Sequence, residues 1–305
     1  MKSISYYSIA VAAFLTFALF ASYTDSNEKP LGLADFSVTH QLPQVIKPVN
    51  LNKAFDFAGE AVPMENFDAR ERLDRELTEN SYRHGKNMLN LKKANRYFPF
   101  IEKILAENGV PDDFKYVAVA ESDLSNAVSP AGARGFWQFM KPTARDYGME
   151  VTATVDERYH IEMSTRAACK HILRLKKIMG SWTLAAAAYN VGQTRLKREV
   201  TAQRANSFYD LNLNQETSRY LFRLIAFKEI MQNPQDFGFN LGEEGYQPLD
   251  DFSVVEVNTT IPNLGDFAQK YGTSYRMLKL YNPWLISTSL ANKSGKQYFI
   301  KIPQK

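Results

Sequence analysis

One glutamate, Glu121, stands where the surrounding sequence predicts an apolar side chain. The segment 111–124 begins with a proline and two acidic residues, which suit the first turn of a helix because free N–H groups favour negative charge there. Apolar residues then recur at helical spacing in the same stripe as position 121: Phe114, Val117, Ala118 and Leu124. A carboxylate held against apolar side chains is desolvated, which raises its pKa and keeps its proton near neutral pH. Glu121 is therefore a candidate general acid for cleaving a glycosidic bond, unless the helix ends nearby and turns the carboxylate to water or a cation.

The residues that follow Glu121 combine turn composition with an aromatic wall. Ser129 to Gly132 has turn composition, and Gly132 and Gly135 allow the backbone to approach a substrate closely. Apolar and aromatic residues then surround the single amide of Gln138: Phe136, Trp137, Phe139 and Met140. Aromatic faces beside a few polar groups suit sugar rings, which have apolar faces and hydroxyl edges. The same run is also typical of an ordinary hydrophobic core, and the residues alone leave both interpretations open.

Three sequence blocks, in this order, resemble the lytic transglycosylases related to goose-type lysozyme, in their soluble and membrane-bound D branches. The blocks read ES at 121–122 with SPAGARGFWQ at 129–138 and KPTA at 141–144, then AAYNVG at 187–192, then ETSRY at 216–220. Two departures are visible. Phe136 replaces the usual aliphatic residue, and the spacing from Glu121 to Ser129 is one residue shorter than in the best-known soluble members. The resemblance implies that Glu121 is the catalytic residue. It also implies a substrate-binding set: Ser122, Ser129, Gln138, Tyr189, Asn190 and Tyr220.

The activity implied by the resemblance is cleavage, without water, of the β-1,4 bond between N-acetylmuramic acid and N-acetylglucosamine in peptidoglycan. One carboxylate suffices, because the muramyl 6-hydroxyl attacks C1 and closes a 1,6-anhydro ring. A lysozyme-type hydrolase (muramidase) is the second interpretation, and it ordinarily needs a second carboxylate. The candidates for that carboxylate are Asp123, Asp146, Glu150 and Asp156. A non-catalytic wall-binding protein is the third interpretation. The expected partner is the glycan strand of peptidoglycan, with no cofactor, no metal and no nucleic acid.

The composition agrees with an exported, mostly helical enzyme. The chain has 305 residues, 45% of them hydrophobic, which is enough for a full core and a second module. A net charge of +4 favours an anionic polymer without specifying one. The single cysteine, Cys169, excludes an internal disulfide, and it points away from His171 on a helix, so a buried structural cysteine is expected. We predict a mainly α fold, with a lysozyme-like helical catalytic domain over residues 66–235.

The first 24 residues have the pattern of a signal peptide or an N-terminal membrane anchor. Lys2 precedes an apolar run from Ile9 to Ala21, which has the length of a signal-peptide core and is slightly short of the about 20 residues of a membrane span. Export to the periplasm or cell envelope is expected, with cleavage and retention as a membrane tether both open. Residues 25–65 contain four prolines and show little periodicity, so they are expected to form an extended linker.

The C-terminal residues 251–305 differ in kind from the helical part. A strand over 252–257, two short helices within 264–280 and a closing strand over 297–303 predict a small α+β (βααβ) domain. The order of these elements resembles a LysM module, although the Gly-Asp-Thr usual after the first strand is replaced by NTTIP at 258–262. The polar run 236–250 is expected to be a linker. A chain that ends near Asp250 is therefore expected to fold and to act on short glycan fragments without the module.

Overall fold

The structure is a computed structural model that describes residues 47–242 and 244–304. The signal peptide or anchor expected over residues 1–24 lies outside the described residues, and so does the first part of the linker expected over 25–65. Within the described ranges, no helix is both long enough and apolar enough to cross a membrane.

Eight α-helices form the larger part of the described chain, between residues 55 and 232, which we call the helical domain. Their bounds are α1 Phe67–Ser81, α2 His84–Glu107, α3 Lys115–Ser122, α4 Lys141–Asp146, α5 Ile161–Met179, α6 Trp182–Val191, α7 Gln193–Gln203 and α8 Gln215–Gln232. Four short 3-10 helices accompany them: Asp112–Phe114, Glu157–Tyr159, Phe208–Asp210 and Pro234–Phe237. The predicted mainly α fold is confirmed.

The short helix that carries Glu121, α3, is buried in the core of this domain. It contacts α2 and α8, while α1 packs on α8 and α5 packs on α2 and α6. Most side chains of α3 are inaccessible to solvent: Tyr116, Val117, Ala118 and Val119. The helix ends at Ser122 because Asp123 and Leu124 adopt left-handed backbone angles, with φ of 52° and 49°. Glu121 is therefore presented by a rigid, apolar element just where the chain leaves the core.

The end of the expected N-terminal linker is part of the helical domain. Strands β1 (Asp56–Phe57) and β2 (Glu60–Ala61) form a small antiparallel hairpin, and Phe55, Phe57 and Val62 around it are buried in the main core. The Glu60 carboxylate accepts hydrogen bonds from the first backbone N–H groups of α6, at 2.6 Å to Trp182 N and 2.8 Å to Thr183 N. The extended linker expected up to residue 65 thus does not include 55–62. Three large apolar side chains in this stretch are buried, and their burial stabilises a folded conformation that the proline-rich composition does not predict.

The polar run 236–250, expected to be a linker, lies against α2. Phe239 is buried with Leu91 and Ile230 in a small apolar cluster. The backbone N–H of Tyr246 donates to the carbonyl of Lys92 at 2.9 Å, and Arg96 Nε donates to the carbonyl of Gln247 at 2.7 Å. This connection is therefore anchored to α2 by one apolar cluster and by hydrogen bonds, which its polar composition does not predict.

The C-terminal module, residues 252–303, has the predicted βααβ order. It consists of β3 (Phe252–Val257), α9 (Leu264–Lys270), α10 (Tyr275–Tyr281) and β4 (Tyr298–Pro303). The two strands pair antiparallel, with Val255 opposite Ile300. Asn263 and Ser274 cap α9 and α10, since each side-chain oxygen accepts hydrogen bonds from backbone N–H groups of the first turn. A compact apolar core lies between the helices and the strands, including Leu264, Ala268, Leu278, Leu290 and Ile300.

The module docks on the segment 150–162 of the helical domain. Val155 is fully buried among the module's own core residues, although it belongs to the helical domain by sequence. The backbone N–H of Asp156 donates to the Trp284 carbonyl at 2.9 Å, and that of Ile286 donates to the Thr154 carbonyl at 3.0 Å. Lys296 adds ion pairs to residues 150 and 157 at the edge. The two parts thus share apolar packing and backbone hydrogen bonds, which differs from the expected independence of the helical domain.

We predict that removing residues 251–305 destabilises the helical domain rather than leaving it unchanged. Val155 becomes exposed and the Asp156 N–H loses its buried acceptor, each at a cost of about 1–3 kcal/mol. Circular dichroism should show a lower melting temperature, and hydrogen exchange should increase at residues 150–160. Lys293→Ala is the control, because Lys293 is an exposed residue of the same module and its removal should lower stability far less. Unchanged exchange at 150–160 after truncation would mean that the docking contributes nothing to this segment.

Candidate active site

Glu121 meets a tyrosine hydroxyl that α8 places over it. Tyr220 is almost fully buried, and its hydroxyl donates to Glu121 Oε1 at 2.7 Å. Asn214 caps α8, since its side chain accepts from Thr217 N at 3.0 Å. One turn along, Arg219 forms ion pairs with Glu76 and Glu79 on α1, which hold α8 in place. The block at 216–220 therefore contains the capped first turn of α8, the arginine that anchors it and the tyrosine that contacts Glu121.

Burial raises the pKa of the Glu121 carboxyl group above its usual range. The nearby negative charge of Glu216 acts in the same direction, while the hydrogen bond from Tyr220 and the charge of Arg223 oppose the rise. The carboxylate also lies at the C-terminal end of α3, where the helix dipole disfavours negative charge. Burial and the Glu121 charge raise the pKa of Tyr220 as well, so its hydroxyl stays neutral and can donate. Glu121 is thus suited to hold a proton, as the apolar stripe in the sequence predicts.

The loop between α3 and α4, residues 123–140, forms one side of the site and carries Gln138. Gln138 has a positive φ of 48°. Its Nε2 donates to the carbonyls of Ala127 at 3.1 Å and Gly135 at 2.8 Å, so both amide hydrogens are used within the loop. No described residue donates to Gln138 Oε1, which leaves this half-buried atom as an acceptor for a ligand. The loop thus fixes the amide of Gln138 with its oxygen still free.

A buried ion pair supports this loop, and sequence reasoning did not identify it. Arg158 is 3% exposed and Asp156 is 1% exposed, and Nη2 of Arg158 lies 2.7 Å from Asp156 Oδ2. Arg158 Nη1 donates to the carbonyls of Gly132 at 3.0 Å and Phe139 at 3.1 Å, at the two ends of the turn. The sequence contains one sign of this arrangement, an acid and an arginine two residues apart at 156–158, but nothing in it indicates burial. Asp156, a candidate second carboxylate by sequence, is therefore committed to Arg158.

Helix α6 holds the other flank of the loop. The Tyr189 hydroxyl donates to the Trp137 carbonyl at 2.8 Å, and Trp137 Nε1 donates to Thr165 Oγ1 at 3.0 Å. Burial and the charge of Glu121 raise the pKa of Tyr189, which keeps this hydroxyl neutral. Asn190, the next residue, is half-buried, and its side chain has no hydrogen bond to any residue that the structure describes. Tyr189 thus positions the loop, while Asn190 remains available for a ligand.

Two of the expected substrate-binding serines are used internally. Ser122 is buried, and its Oγ lies 3.0 Å from the Ala118 carbonyl and 2.9 Å from the Phe136 carbonyl, to which it can donate. Ser129 Oγ accepts from the backbone N–H of Ala133 at 3.0 Å, which closes the turn around Gly132. Each hydroxyl is thus hydrogen-bonded to the backbone of the loop, and both serines support its shape. The substrate contact expected of them stays a prediction.

The remaining candidates for a second carboxylate are engaged or exposed. Asp123 pairs with Lys86 at 2.9 Å and accepts from Asn90 Nδ2. Glu150 pairs with Lys296 and accepts from the Tyr298 hydroxyl. Asp146 is exposed on α4. Glu216 is the carboxylate whose charge acts on Glu121, and it pairs with Arg223 at 2.9 Å. Hence no second carboxylate among the described residues is both free of an ion pair and electrostatically coupled to Glu121.

The single cysteine has no nucleophilic arrangement. Cys169 is buried, and its Sγ lies 3.9 Å from the Ile104 carbonyl. Burial raises the pKa of its thiol to about 11. His171 is instead hydrogen-bonded through Nδ1 to the Tyr147 hydroxyl at 2.9 Å, and burial lowers its pKa to about 4. A buried structural cysteine, as the helical spacing predicts, is what the structure contains.

Two family models match this chain. Residues 98–212 match the transglycosylase SLT domain, and residues 253–305 match the soluble lytic transglycosylase C-terminal LysM-like domain. The first match contains Glu121, the loop 123–140 and Asn190, and ends before Tyr220. The chain therefore carries both of the domains that the sequence blocks resemble.

The chain is also similar to two curated proteins. The membrane-bound lytic murein transglycosylase D of Escherichia coli strain K12 is 30% identical over 261 residues, which cover 82% of this chain and 55% of that protein. A protein of Alteromonas sp. named for tributyltin chloride resistance is 29% identical over 111 residues, covering 36% of this chain and 54% of that protein. The chain thus spans about half the length of the curated relatives it matches.

One solved structure shows a weak likeness. It is an inactive mutant of the lytic transglycosylase Slt from Pseudomonas aeruginosa, with a TM-score of 0.38 and 20% identity. The likeness covers 46% of this chain and 24% of that one.

Gly135 offers a direct test of the support under the loop. A Cβ added there would lie 2.0 Å from the Arg158 carbonyl oxygen, and the residue has a φ of +80°. Gly135→Ala should therefore cost about 3 kcal/mol or more in denaturant unfolding, because both the clash and the left-handed backbone are penalised. Gly132→Ala is the matched control, with a φ of +86° and open space, and should cost only about 1–2 kcal/mol. Equal losses in the two variants would contradict the close approach.

Glu121→Gln should raise stability at neutral pH. A raised folded-state pKa means that the folded protein binds this proton more tightly than the unfolded chain, so the stability it contributes is lost as pH rises above about 4.5. Glutamine keeps an oxygen for the Tyr220 hydroxyl and carries no charge. The unfolding free energies of wild type and variant should coincide near pH 4 and diverge toward pH 8, by about 1.4 kcal/mol per unit of pKa shift.

A neighbouring glutamate gives the opposite sign and serves as the control. The hydrogen bond from Arg223 lowers the pKa of Glu216, so its ionised form stabilises the fold above the unfolded pKa. Glu216→Gln should therefore lower stability at neutral pH and change little in acid. Chemical denaturation across this pH range checks both variants, and a loss of stability for Glu121→Gln at pH 8 would contradict the raised pKa.

Proposed function

Because the chain carries a transglycosylase SLT domain followed by a LysM-like domain, we propose that it is a peptidoglycan lytic transglycosylase. It cleaves the β-1,4 bond between N-acetylmuramic acid and N-acetylglucosamine and leaves 1,6-anhydromuramyl ends. The observation that carries the proposal is the Glu121 carboxyl group, which is desolvated, has a raised pKa and accepts a hydrogen bond from Tyr220 at 2.7 Å. The domain matches support the reaction class, and the geometry supports Glu121 as its acid.

In the proposed reaction Glu121 acts first as an acid and then as a base. Its proton moves to the glycosidic oxygen as the bond from that oxygen to muramyl C1 breaks. The muramyl 6-hydroxyl then bonds to C1, and its proton returns to the Glu121 carboxylate. The reaction consumes no water, and it regenerates the protonated Glu121 carboxyl group. The raised pKa supports the first step, and the Tyr220 hydrogen bond stabilises the carboxylate formed between the two steps.

We assign roles to the other residues of the site according to whether their polar atoms are free to bind a ligand. Gln138 Oε1 and the Asn190 amide have no hydrogen bond from described residues, so they are the groups proposed to bind sugar substituents. Tyr220 positions the Glu121 carboxylate, and Tyr189 positions the loop through the Trp137 carbonyl. Ser122 and Ser129 have the same kind of positioning role. This division leaves Gln138 Oε1 to accept from a sugar hydroxyl or acetamido N–H, while the Asn190 amide can both donate and accept.

A muramidase is the alternative, and Glu216 is the residue that it would require. Its charge acts on Glu121, but it is paired with Arg223 and mostly exposed. Activating water would mean breaking that ion pair, whereas an internal 6-hydroxyl needs no second carboxylate. Because the other acidic candidates form ion pairs or are exposed, the structure favours the non-hydrolytic reaction.

We further propose that the protein acts in the cell envelope. The substrate is found there, and the N-terminal pattern at 1–24 is that of an export signal or a membrane anchor. The curated relative in Escherichia coli is named as membrane-bound. Membrane retention of this chain rests on the N-terminal pattern alone.

The test is mass spectrometry of the fragments that the purified protein releases from peptidoglycan sacculi. Anhydro-muropeptides, lighter by one water than their reducing counterparts, are expected. Glu121→Gln should reduce release by at least about 1,000-fold with the fold intact, because the amide has no transferable proton. Reducing ends would instead establish a hydrolase, and an absence of release would establish a binding protein. Wild-type activity in Glu121→Gln would remove Glu121 from the mechanism.

A further inference from the structure

A cavity separates the helical domain from the C-terminal module, beside the candidate active site. Its volume is about 280 Å³, close to the lower end of the range for sites that bind small molecules. Residues from both parts line it, chiefly aromatic ones: Tyr97, Phe100 and Phe136 on one side, and Tyr281 and Trp284 on the other. Glu121 does not line it, but Asn126 and Phe136 belong to the loop 123–140 that carries Gln138. The cavity therefore shares one wall with the loop of the candidate site.

The charges in the cavity are unbalanced in favour of cations. Glu162 is the carboxylate among the lining residues, and Lys301 and His160 already pair with it. Burial opposes its ionisation, yet the hydrogen bonds and charges of these two partners lower the pKa of Glu162 to about 2. Glu162 and Lys301 thus cancel each other and leave two further basic residues facing the space, Arg276 and Lys279.

Arg276 and Lys279 have no carboxylate partner within the described chain. They lie three residues apart on α10, on one face of the helix. Lys279 Nζ donates to the Ser287 carbonyl at 2.9 Å and lies 5.6 Å from the Tyr275 ring centroid. Burial lowers the pKa of Lys279, and no opposing charge compensates. Arg276 makes no hydrogen bond or ion pair with any described residue. A bound carboxylate would supply the charge that both groups lack.

We propose that this cavity binds the peptide stem of the peptidoglycan strand, with stem carboxylates held by Arg276 and Lys279. The inference rests on the proposed function. In an intact strand the lactyl carboxyl group of each muramyl residue is held in the amide bond to its stem, so the carboxylates of the strand lie in the stem peptide, which carries several. The aromatic walls can pack against the apolar parts of the stem and against the sugar that bears it. The module would then select stem-bearing strands next to the loop that holds Gln138, rather than bind bare glycan.

The experiment compares two forms of one substrate. Glycan strands with intact stems and the same strands stripped of stems by an amidase are each cleaved by wild type, by the double variant Arg276→Ala/Lys279→Ala, and by a control. The control is Lys270→Ala/Lys293→Ala, which removes two exposed cations of the same module that do not line the cavity. The double variant should raise KM about 10-fold on stem-bearing strands, with kcat unchanged, and far less on stripped strands, which keep only one lactyl carboxylate per muramyl residue. The control should behave as wild type on both.

Each other outcome has a definite meaning. An equal rise in KM on both substrates, or no rise on either, would overturn the stem-binding role while leaving the transglycosylase intact. No anhydro product from wild type on either substrate would instead overturn the proposed function. A titration with the free stem tripeptide adds a readout independent of turnover: wild type should bind it, the double variant should bind about 10-fold more weakly, and neutral chitotetraose should not compete. Competition by chitotetraose would make the cavity a glycan site and overturn the proposal.

Discussion

The buried pair of Asp156 and Arg158 is the interaction on which the rest of the site depends. One guanidinium holds the carbonyls of Gly132 and Phe139, and so fixes both ends of the turn that contains Gln138. Removing one member of such a pair would strand the other charge in the core, typically at a cost of about 3–5 kcal/mol. The pair also continues outward, because the backbone N–H of Asp156 donates to the carbonyl of Trp284 in the C-terminal module. A single short segment thus connects the loop to the module.

This connection changes how the two domains are understood. Sequence composition suggests a catalytic unit and an appended module joined by a polar linker. In the folded chain the module buries Val155, and the connection 236–250 is anchored along α2. The module therefore contributes to the structure that supports the loop, and the cavity between the two parts exists only because they dock.

The site combines an unfavourable environment for one charge with stable scaffolding around it. Glu121 sits at the end of a buried helix, where desolvation and the helix dipole both disfavour ionisation. Tyr220 limits that penalty with one hydrogen bond, and the ion pairs of Arg219 to α1 keep Tyr220 in place. The packing of the surrounding core thus offsets the energetic cost of burying the carboxylate, as is common at active sites.

Local pattern was sufficient for a large part of this protein. The apolar stripe around Glu121 and the βααβ order of the C-terminal module are short-range features, and the periodicity of the sequence determines them directly. Only the tertiary structure decided which residues distant in sequence are in contact. Ser122 is hydrogen-bonded to a carbonyl 14 residues away, the pair at 156–158 is buried, and residues 55–62 join the core. Such outcomes depend on which backbone groups and apolar side chains need partners across the fold, and no local spacing encodes that requirement.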